Sequence, residues 1–320
     1  MGSCFDGAEM NKLPLHSGFR GSLLGLALGD SLGMPAEYLS SAEASLLFAD
    51  GIRLLPGRGL RAGQFTDDTL MSIYTLSSIL QQKKIVPSDI AARFVQWFDT
   101  DDLREIGNTT QEAIRRLKRN IPWDQSGIVG PSSAGNGPAM RVLPIALWDI
   151  YHPERLRQDV FNCSIITHQN EEAVAGAMVI AFALQQALRG ELKDLLLTVA
   201  RIVKGTHVSA KLRQANELRK RRVSPQDALP ILGTSGYAPE TVASALYAFL
   251  FFPNSFRDAV SGPLMVGGDT DTIAAICGAL SGAFLGIKGL PPEWLAGLER
   301  KDELDQIAQD LFTSVEAEAL

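Results

Sequence analysis

A chain of 320 residues, 46% apolar and 21% charged, can bury a large core as one big domain or two ordinary ones. Its net charge of -6 provides no basic footprint for nucleic acid or an anionic membrane surface. Cys4, Cys163 and Cys277 are far apart and form no CxxC pair, which argues against a disulfide framework or a thiolate zinc site and predicts a reducing, cytoplasmic setting.

In chain order, "MGSCFDGAEMNKLP" has no basic stretch followed by an apolar one, so it does not read as a secretory signal. Gly2 and Cys4 resemble an acylation start, but Asp6 stands where that pattern requires Ser or Thr. "GSLLGLALGDSLGMPAE" (21–37) places Gly21, Gly25 and Gly29 at helical spacing, a pattern that predicts tight helix packing. "LMSIYTLSSILQQ" (70–82) has helical apolar periodicity, and "PSDIAARFVQWFDT" (87–100) places Ser88 as an N-cap. "NTTQEAIRRLKRN" (108–120) is amphipathic, with its basic residues at the end where the helix dipole favours them. "NEEAVAGAMVIAFALQQALRG" (170–190) and "LKDLLLTVARIVKG" (192–205) close on Gly190 and Gly205. "LRKRR" (218–222) reads as a solvated helix end, and "PETVASALYAFLFF" (239–252) opens with Pro and Glu in its first turn. The apolar runs at 173–184 and 242–252 are shorter than the roughly 20 residues of a membrane span. Trp97, Trp148 and Trp294 sit in apolar surroundings and read as core. No segment alternates as a strand, so the fold class is all-α.

Two acidic clusters carry the chemistry. "FTDDT" (65–69) and "GGDTDT" (267–272) each stand at a loop-to-helix junction before an apolar helix. Asp and Thr are preferred N-caps, and acids in a first turn are favoured by the dipole, so capping explains one such cluster. A cap needs one side-chain oxygen, however, and each cluster has two aspartates flanked by threonines. Carboxylates packed together repel unless a cation or proton intervenes. Four carboxylates and several hydroxyls, with no thiolate or clustered His, form an all-oxygen set suited to Mg²⁺, Mn²⁺ or Ca²⁺. The residue chemistry alone leaves capping and metal binding both open.

The order of motifs narrows the reading. "GSLLGLALGDSLGMPAE", "FTDDT", "EIGNTT" (105–110), "GNGPAMRVLPIAL" (135–147), the pair Thr167 and His168, and "GGDTDTIAAICGALSGAFLG" follow one another along the chain. This series resembles the ADP-ribosylglycohydrolase family, which includes the dinitrogenase-reductase-activating glycohydrolases, over about residues 17–300. The resemblance implies a single compact multi-helix domain, residues 17–320 after an extension of residues 1–16, around two Mg²⁺ or Mn²⁺ ions. It implies Thr66, Asp67, Asp68, Asp269, Asp271 and Thr272 as metal ligands and Glu37 as a catalytic carboxylate. Ser133, Gly135, Asn136 and Gly137 match a substrate loop that holds ADP-ribose, and His168 matches a ligand-facing His. Two positions depart from the family pattern. Glu105 stands where an Asp, proposed as catalytic base in some relatives, is common; the change extends the carboxylate by one methylene. Ala134 occupies a position where some relatives have an adenine-stacking aromatic, with Tyr237 as a candidate replacement.

Read as residues, "GPSSAGNG" (130–137) has the small side chains that let backbone N–H groups approach phosphate, although such loops are also ordinary turns. Taken alone, a His such as His168 is more often a satisfied core histidine. Arg141 is expected to brace the loop and Asp30 to support the site from behind. The activity implied is hydrolysis of the bond between ADP-ribose and a protein side chain. Arginine comes first, since Ala134 replaces the aromatic of serine- and polymer-cleaving relatives. The alternatives are ADP-ribosyl-serine, poly-ADP-ribose, O-acetyl-ADP-ribose, or a non-catalytic binding role. The expected partners are an ADP-ribosylated protein and ADP-ribose as product, with no nucleic acid and no membrane.

Overall fold

The computed structural model describes residues 14–100 and 102–319. The readings of Gly2, Cys4 and Asp6 fall outside the described residues. Among the described residues, eighteen α-helices and a few short 3₁₀ turns account for nearly all the regular structure, as the periodicity predicts. One element was not expected: Ile128–Val129 pairs in parallel with His168–Gln169. Strands this short have no alternation for a sequence to show. The pair matters because it sets His168 beside the loop that follows Val129.

Helix ends differ from expectation where backbone chemistry overrides periodicity. The helix Asp67–Gln82 starts three residues early, so the first acidic cluster forms its first turn. Pro87–Phe98 is capped at Val86, not Ser88, because Pro87 has the fixed φ and missing N–H that suit the first helical position. Glu171–Arg189 is capped by the Asn170 side chain and closes on Gly190 at φ 76°. Leu195–Ile202 is shorter than predicted at both ends; Asp194 before it is left-handed at φ 53°. By length and composition Glu171–Arg189 is apolar enough to cross a membrane, but 72% of that stretch is buried within the protein. It is packed among the helices Gly137–Met140, Pro153–Ile165 and Thr270–Leu285. Trp97, Trp148 and Trp294 are core, and Arg219 to Arg222 are exposed at a helix end.

The helices Leu15–Gly33 and Thr270–Leu285 run antiparallel through the centre and touch along their whole length. Their contact is backbone against backbone. A Cβ on Gly21 would stand 2.2 Å from the Gly282 carbonyl oxygen, and one on Gly25 2.3 Å from that of Gly278. The reverse positions are as tight, at 1.9 Å for Gly282 and 2.1 Å for Gly278. At the end of the seam a Cβ on Gly33 would meet the Asp271 Cα at 2.4 Å, and the Thr270 hydroxyl donates to the Gly33 carbonyl at 2.7 Å. Steric exclusion thus fixes the register that brings residues 30–37 alongside residues 269–272.

Gly278→Ala is expected to destabilise the protein by about 1–3 kcal/mol through overpacking. Gly107→Ala is expected to stay within about 0.5 kcal/mol, because Gly107 has φ -64° and nothing within 4 Å of its would-be Cβ. Chemical denaturation of both variants compares them; equal losses would show that the seam is not close-packed.

Candidate active site

The two acidic clusters meet at one end of this seam. At the first, Thr66 is the N-cap of Asp67–Gln82, yet its side chain makes no cap hydrogen bond. The cap comes from another helix. The buried Asp30 carboxylate accepts from the Thr66 N–H at 2.9 Å, the Thr69 N–H at 3.1 Å and the Thr69 hydroxyl at 2.6 Å. Burial pushes Asp30 up to about 6, with these donors holding it down. Because Asp30 satisfies the helix end, Asp67 and Asp68 are free for other partners. At the second junction Asp269 is likewise an N-cap that makes no cap bond. Gly267 and Gly268 precede it at φ 74° and 87°, and a Cβ on Gly267 would stand 2.1 Å from the Leu39 carbonyl oxygen. Glycine is required there by both backbone conformation and space.

Glu37, Asp269 and Asp271 are all buried, and each offers an oxygen within 4.8 Å of the others. The Thr272 hydroxyl lies 3.4 Å from Asp68 Oδ2, linking the two clusters, and the Thr66 hydroxyl donates to the same oxygen at 3.2 Å. Apart from Thr66, these residues line a cleft of about 210 Å³ with Tyr38, Asp67, Glu105, Gly107 to Thr110, Gly135 to Gly137 and His168. A larger cavity of about 620 Å³, near Phe161, Met178 and Lys204, contains none of the acidic pairs. Burial first, and then neighbouring carboxylates, push Asp67, Asp68 and Asp271 well above the ordinary carboxylate range. Burial likewise raises Glu37 to about 7, opposed by Tyr38 and Arg58.

The far wall is the loop before Gly137–Met140. Asn136 fastens it to the acidic cluster, its Nδ2 donating to Asp269 Oδ2 at 2.6 Å and to the Thr241 hydroxyl at 3.0 Å. Arg141 is buried with no carboxylate of the described residues in ion-pair contact. It donates to the Gly137 carbonyl and the Thr167 hydroxyl, each at 2.6 Å, and burial lowers it to about 10. The Thr167 oxygen lies 2.7 Å from His168 Nδ1. Since this hydroxyl accepts from Arg141, its own proton is available to Nδ1, leaving the proton of the neutral ring on Nε2. Burial lowers His168 to about 3, so the ring stays neutral near pH 7. Nε2 faces the loop, 3.2 Å from where a Cβ on Gly135 or Gly137 would be.

The residues present fit a divalent cation. Asp68 Oδ1 and Glu37 Oε2 are buried without a hydrogen-bond partner, although Arg58 Nε lies 3.0 Å from the latter in ion-pair contact. The surrounding donors are carboxylates and hydroxyls, the set that hard cations take. Cys277, on the same helix as Asp271, is buried in the core and pushed up as a thiol by that burial.

Of the residues singled out by sequence, Glu37, Glu105, Asp67, Asp68, Asp269, Asp271, Thr272, Gly135, Asn136, Gly137 and His168 come together on the cleft, with Thr66 directly behind it. Ser133 does not join them: its hydroxyl closes its own turn, donating to the Gly130 carbonyl at 2.8 Å. Sequence reading missed Arg58, which pairs with both Glu37 and Glu105, and Tyr38 beneath it. The only local signal for Arg58 was its place between two glycines.

Known proteins resemble this chain along most of its length. The sequence profile of the ADP-ribosylglycohydrolase family matches residues 11–319. An ADP-ribosylarginine hydrolase, Tri1, of Pseudomonas putida is 30% identical across 92% of this chain and 77% of its own length. The ADP-ribosyl-[dinitrogen reductase] glycohydrolase of Rhodospirillum rubrum is 29% identical, covering 90% of this chain and 92% of that protein. A solved structure described as an ADP-ribosylglycohydrolase-related protein complex superposes with a TM-score of 0.73 at 29% identity, covering 94% of this chain and 99% of that one. The chain belongs to the ADP-ribosylglycohydrolase family and is a glycosidic-bond hydrolase of that class.

Protons and cations compete for the same oxygens here. The raised carboxylates bind more protons folded than unfolded, so the metal-free protein is expected to lose stability as pH rises above about 4. Mg²⁺ or Mn²⁺ at a hundredfold its Kd is expected to add about 2.7 kcal/mol. At one fixed metal concentration the gain in Tm over chelated protein should be larger at pH 8 than at pH 5.5, because protons compete less, and Asp269→Ala should abolish most of it. Equal gains at both pH values would mean that ions bind elsewhere. Separately, Thr167→Val is expected to weaken ADP-ribose binding by about fivefold through loss of one hydrogen-bond orientation, with Thr167→Ser restoring it. The ¹⁵N shifts of His168 should show Nε2–H in the native protein and mixed tautomers in the Val variant.

Proposed function

We propose that this chain hydrolyses the N-glycosidic bond between ADP-ribose and an arginine side chain of a modified protein, using two Mg²⁺ or Mn²⁺ ions. The observation that carries this reading is the convergence of two acidic helix junctions, about 200 residues apart in sequence, on one cleft. Two further carboxylates, Glu37 and Glu105, stand on the cleft wall, and a glycine-rich loop faces them. Thr66, Asp67, Asp68, Asp269, Asp271 and Thr272 would hold the ions. When bound, the ions would supply positive charge to stabilise ribose oxygens and the developing charge of the transition state.

The chain's own residues divide the remaining work. The backbone N–H groups of Gly135 and Gly137 are available to phosphate oxygens, and His168 Nε2–H donates to the ligand from the same side. Asn136 ties this loop to Asp269, so phosphate and ribose are held in fixed relation. In the reaction the bond from ribose C1″ to the guanidine nitrogen breaks. A water oxygen bonds to C1″, one water proton passes to a carboxylate, and the departing guanidine nitrogen takes up a proton. Glu37 and Glu105 are placed for these two transfers. Of the two relatives, one is named for arginine and the other for its protein substrate alone. The linkage is therefore our reading, supported by Ala134 and by the acidic wall suited to a cationic leaving group.

ADP-ribose release from ADP-ribosyl-arginine, ADP-ribosyl-serine and poly-ADP-ribose, with Mg²⁺, with Mn²⁺ and after chelation, tests both parts. Release is expected from the arginine linkage, to stop on chelation, and to fall at least about a hundredfold in Asp269→Ala. Full activity in that variant would overturn the site, and release from only the serine linkage or the polymer would overturn the substrate.

A further inference from the structure

Arg58 stands at the tip of a tight turn beside the cleft. The Gly57 N–H donates to the Leu60 carbonyl at 3.1 Å, and the Leu60 N–H to the Gly57 carbonyl at 2.7 Å. Between them Arg58 and Gly59 have φ 49° and 80°, the pair of left-handed residues that a two-residue turn of this hand requires. The turn is docked on the segment leading to Glu37, since a Cβ on Gly57 would stand 2.8 Å from the Pro35 Cα. The Arg58 guanidinium therefore reaches the cleft from outside, on its own loop.

Its surroundings match its chemistry on three sides. Nε lies 3.0 Å from Glu37 Oε2, Nη2 pairs with Glu105 Oε2, and Cζ lies 4.8 Å from the centre of the Tyr38 ring. Two carboxylates in reach of a planar fork of donors, over an aromatic face, form a receptor for a guanidinium group. Glu37 is only 8% exposed, and its Oε2 has no hydrogen-bond partner. All three receptor residues line the cleft with Asp269 and Asp271, whereas Arg58 does not. The receptor thus belongs to the cleft, and its occupant comes from the rim.

We infer that Glu37, Glu105 and Tyr38 form a subsite for the guanidinium of the departing arginine, and that Arg58 fills this subsite until a substrate arginine displaces it. The inference rests on the arginine linkage proposed above and adds a resident competitor. A guanidinium ligand meets this receptor only when Arg58 has swung away, so its apparent affinity is reduced by the fraction of time the receptor is open. ADP-ribose has no guanidinium and is indifferent to Arg58.

The test measures methylguanidine and ADP-ribose binding to the Mg²⁺-loaded protein by calorimetry, in native, Arg58→Ala and Arg58→Gln forms. Methylguanidine is expected to bind both variants about tenfold more tightly than the native protein. ADP-ribose affinity should be unchanged, and adding Glu105→Gln should remove the gain. The KM for ADP-ribosyl-arginine should fall in the same variants. Unchanged or weaker methylguanidine binding in both variants would overturn the inference and leave Arg58 as a brace for the two carboxylates. The two readings fail separately. Cleavage of arginine linkages without tighter methylguanidine binding removes the subsite alone. Tighter methylguanidine binding in a protein that cleaves only oxygen linkages removes the arginine substrate and keeps the subsite.

Discussion

Everything at the site depends on one steric constraint, the backbone contact between Leu15–Gly33 and Thr270–Leu285. Side chains normally hold helix axes 8–10 Å apart. Here glycines facing glycines allow closer approach, and any slip would drive a carbonyl oxygen into a side chain. The seam is therefore a register device. It ends where Gly33 meets Asp271, so the chain leaving the first helix passes Asp269 and places Glu37 beside it. The pairing of residues from opposite ends of the chain is decided by shape before any charge is considered.

The charges then impose a problem that the fold handles by division of labour. Buried carboxylates repel one another and resist ionisation. If Asp67 or Asp269 also capped its own helix, its oxygens would be committed to backbone N–H groups. Asp30 takes the first cap from a neighbouring helix, and Asn136 contacts Asp269 through a single oxygen. Glu37, Asp269 and Asp271 still bring an oxygen each within 4.8 Å of one another, although Asp271 Oδ1 accepts from the Thr272 N–H. Keeping these carboxylates ionised is costly without a cation, and their oxygens are of the kind that could hold one.

Two guanidinium groups flank this negative centre, and they differ in kind. Arg141 is buried, donates to a carbonyl and a hydroxyl, and sets the orientation of His168 through Thr167. Arg58 is partly exposed on a glycine-flanked turn and is held by carboxylates. The first is held inside the packed core. The second stands on a surface turn, with its side chain partly open to solvent.

The sequence by itself determined the all-α class, the core tryptophans and the residue types of the acidic centre. Helical periodicity and motif chemistry are local, so they survive without coordinates. It also left capping and metal binding unresolved for Asp67 to Thr69, because a cap oxygen supplied across space by Asp30 has no local signature. Helix ends at Val86 and Ile202 and the two-residue strand pair were set by single-residue backbone preferences and by tertiary contacts. Ser133 does not line the cleft, and its hydroxyl donates to the Gly130 carbonyl instead. Arg58 was illegible because its partners, Glu37 and Glu105, lie 21 residues before it and 47 after it. Only the folded chain decides which distant side chains share a cleft, because that depends on packing register and side-chain direction, and neither is written in the order of residues.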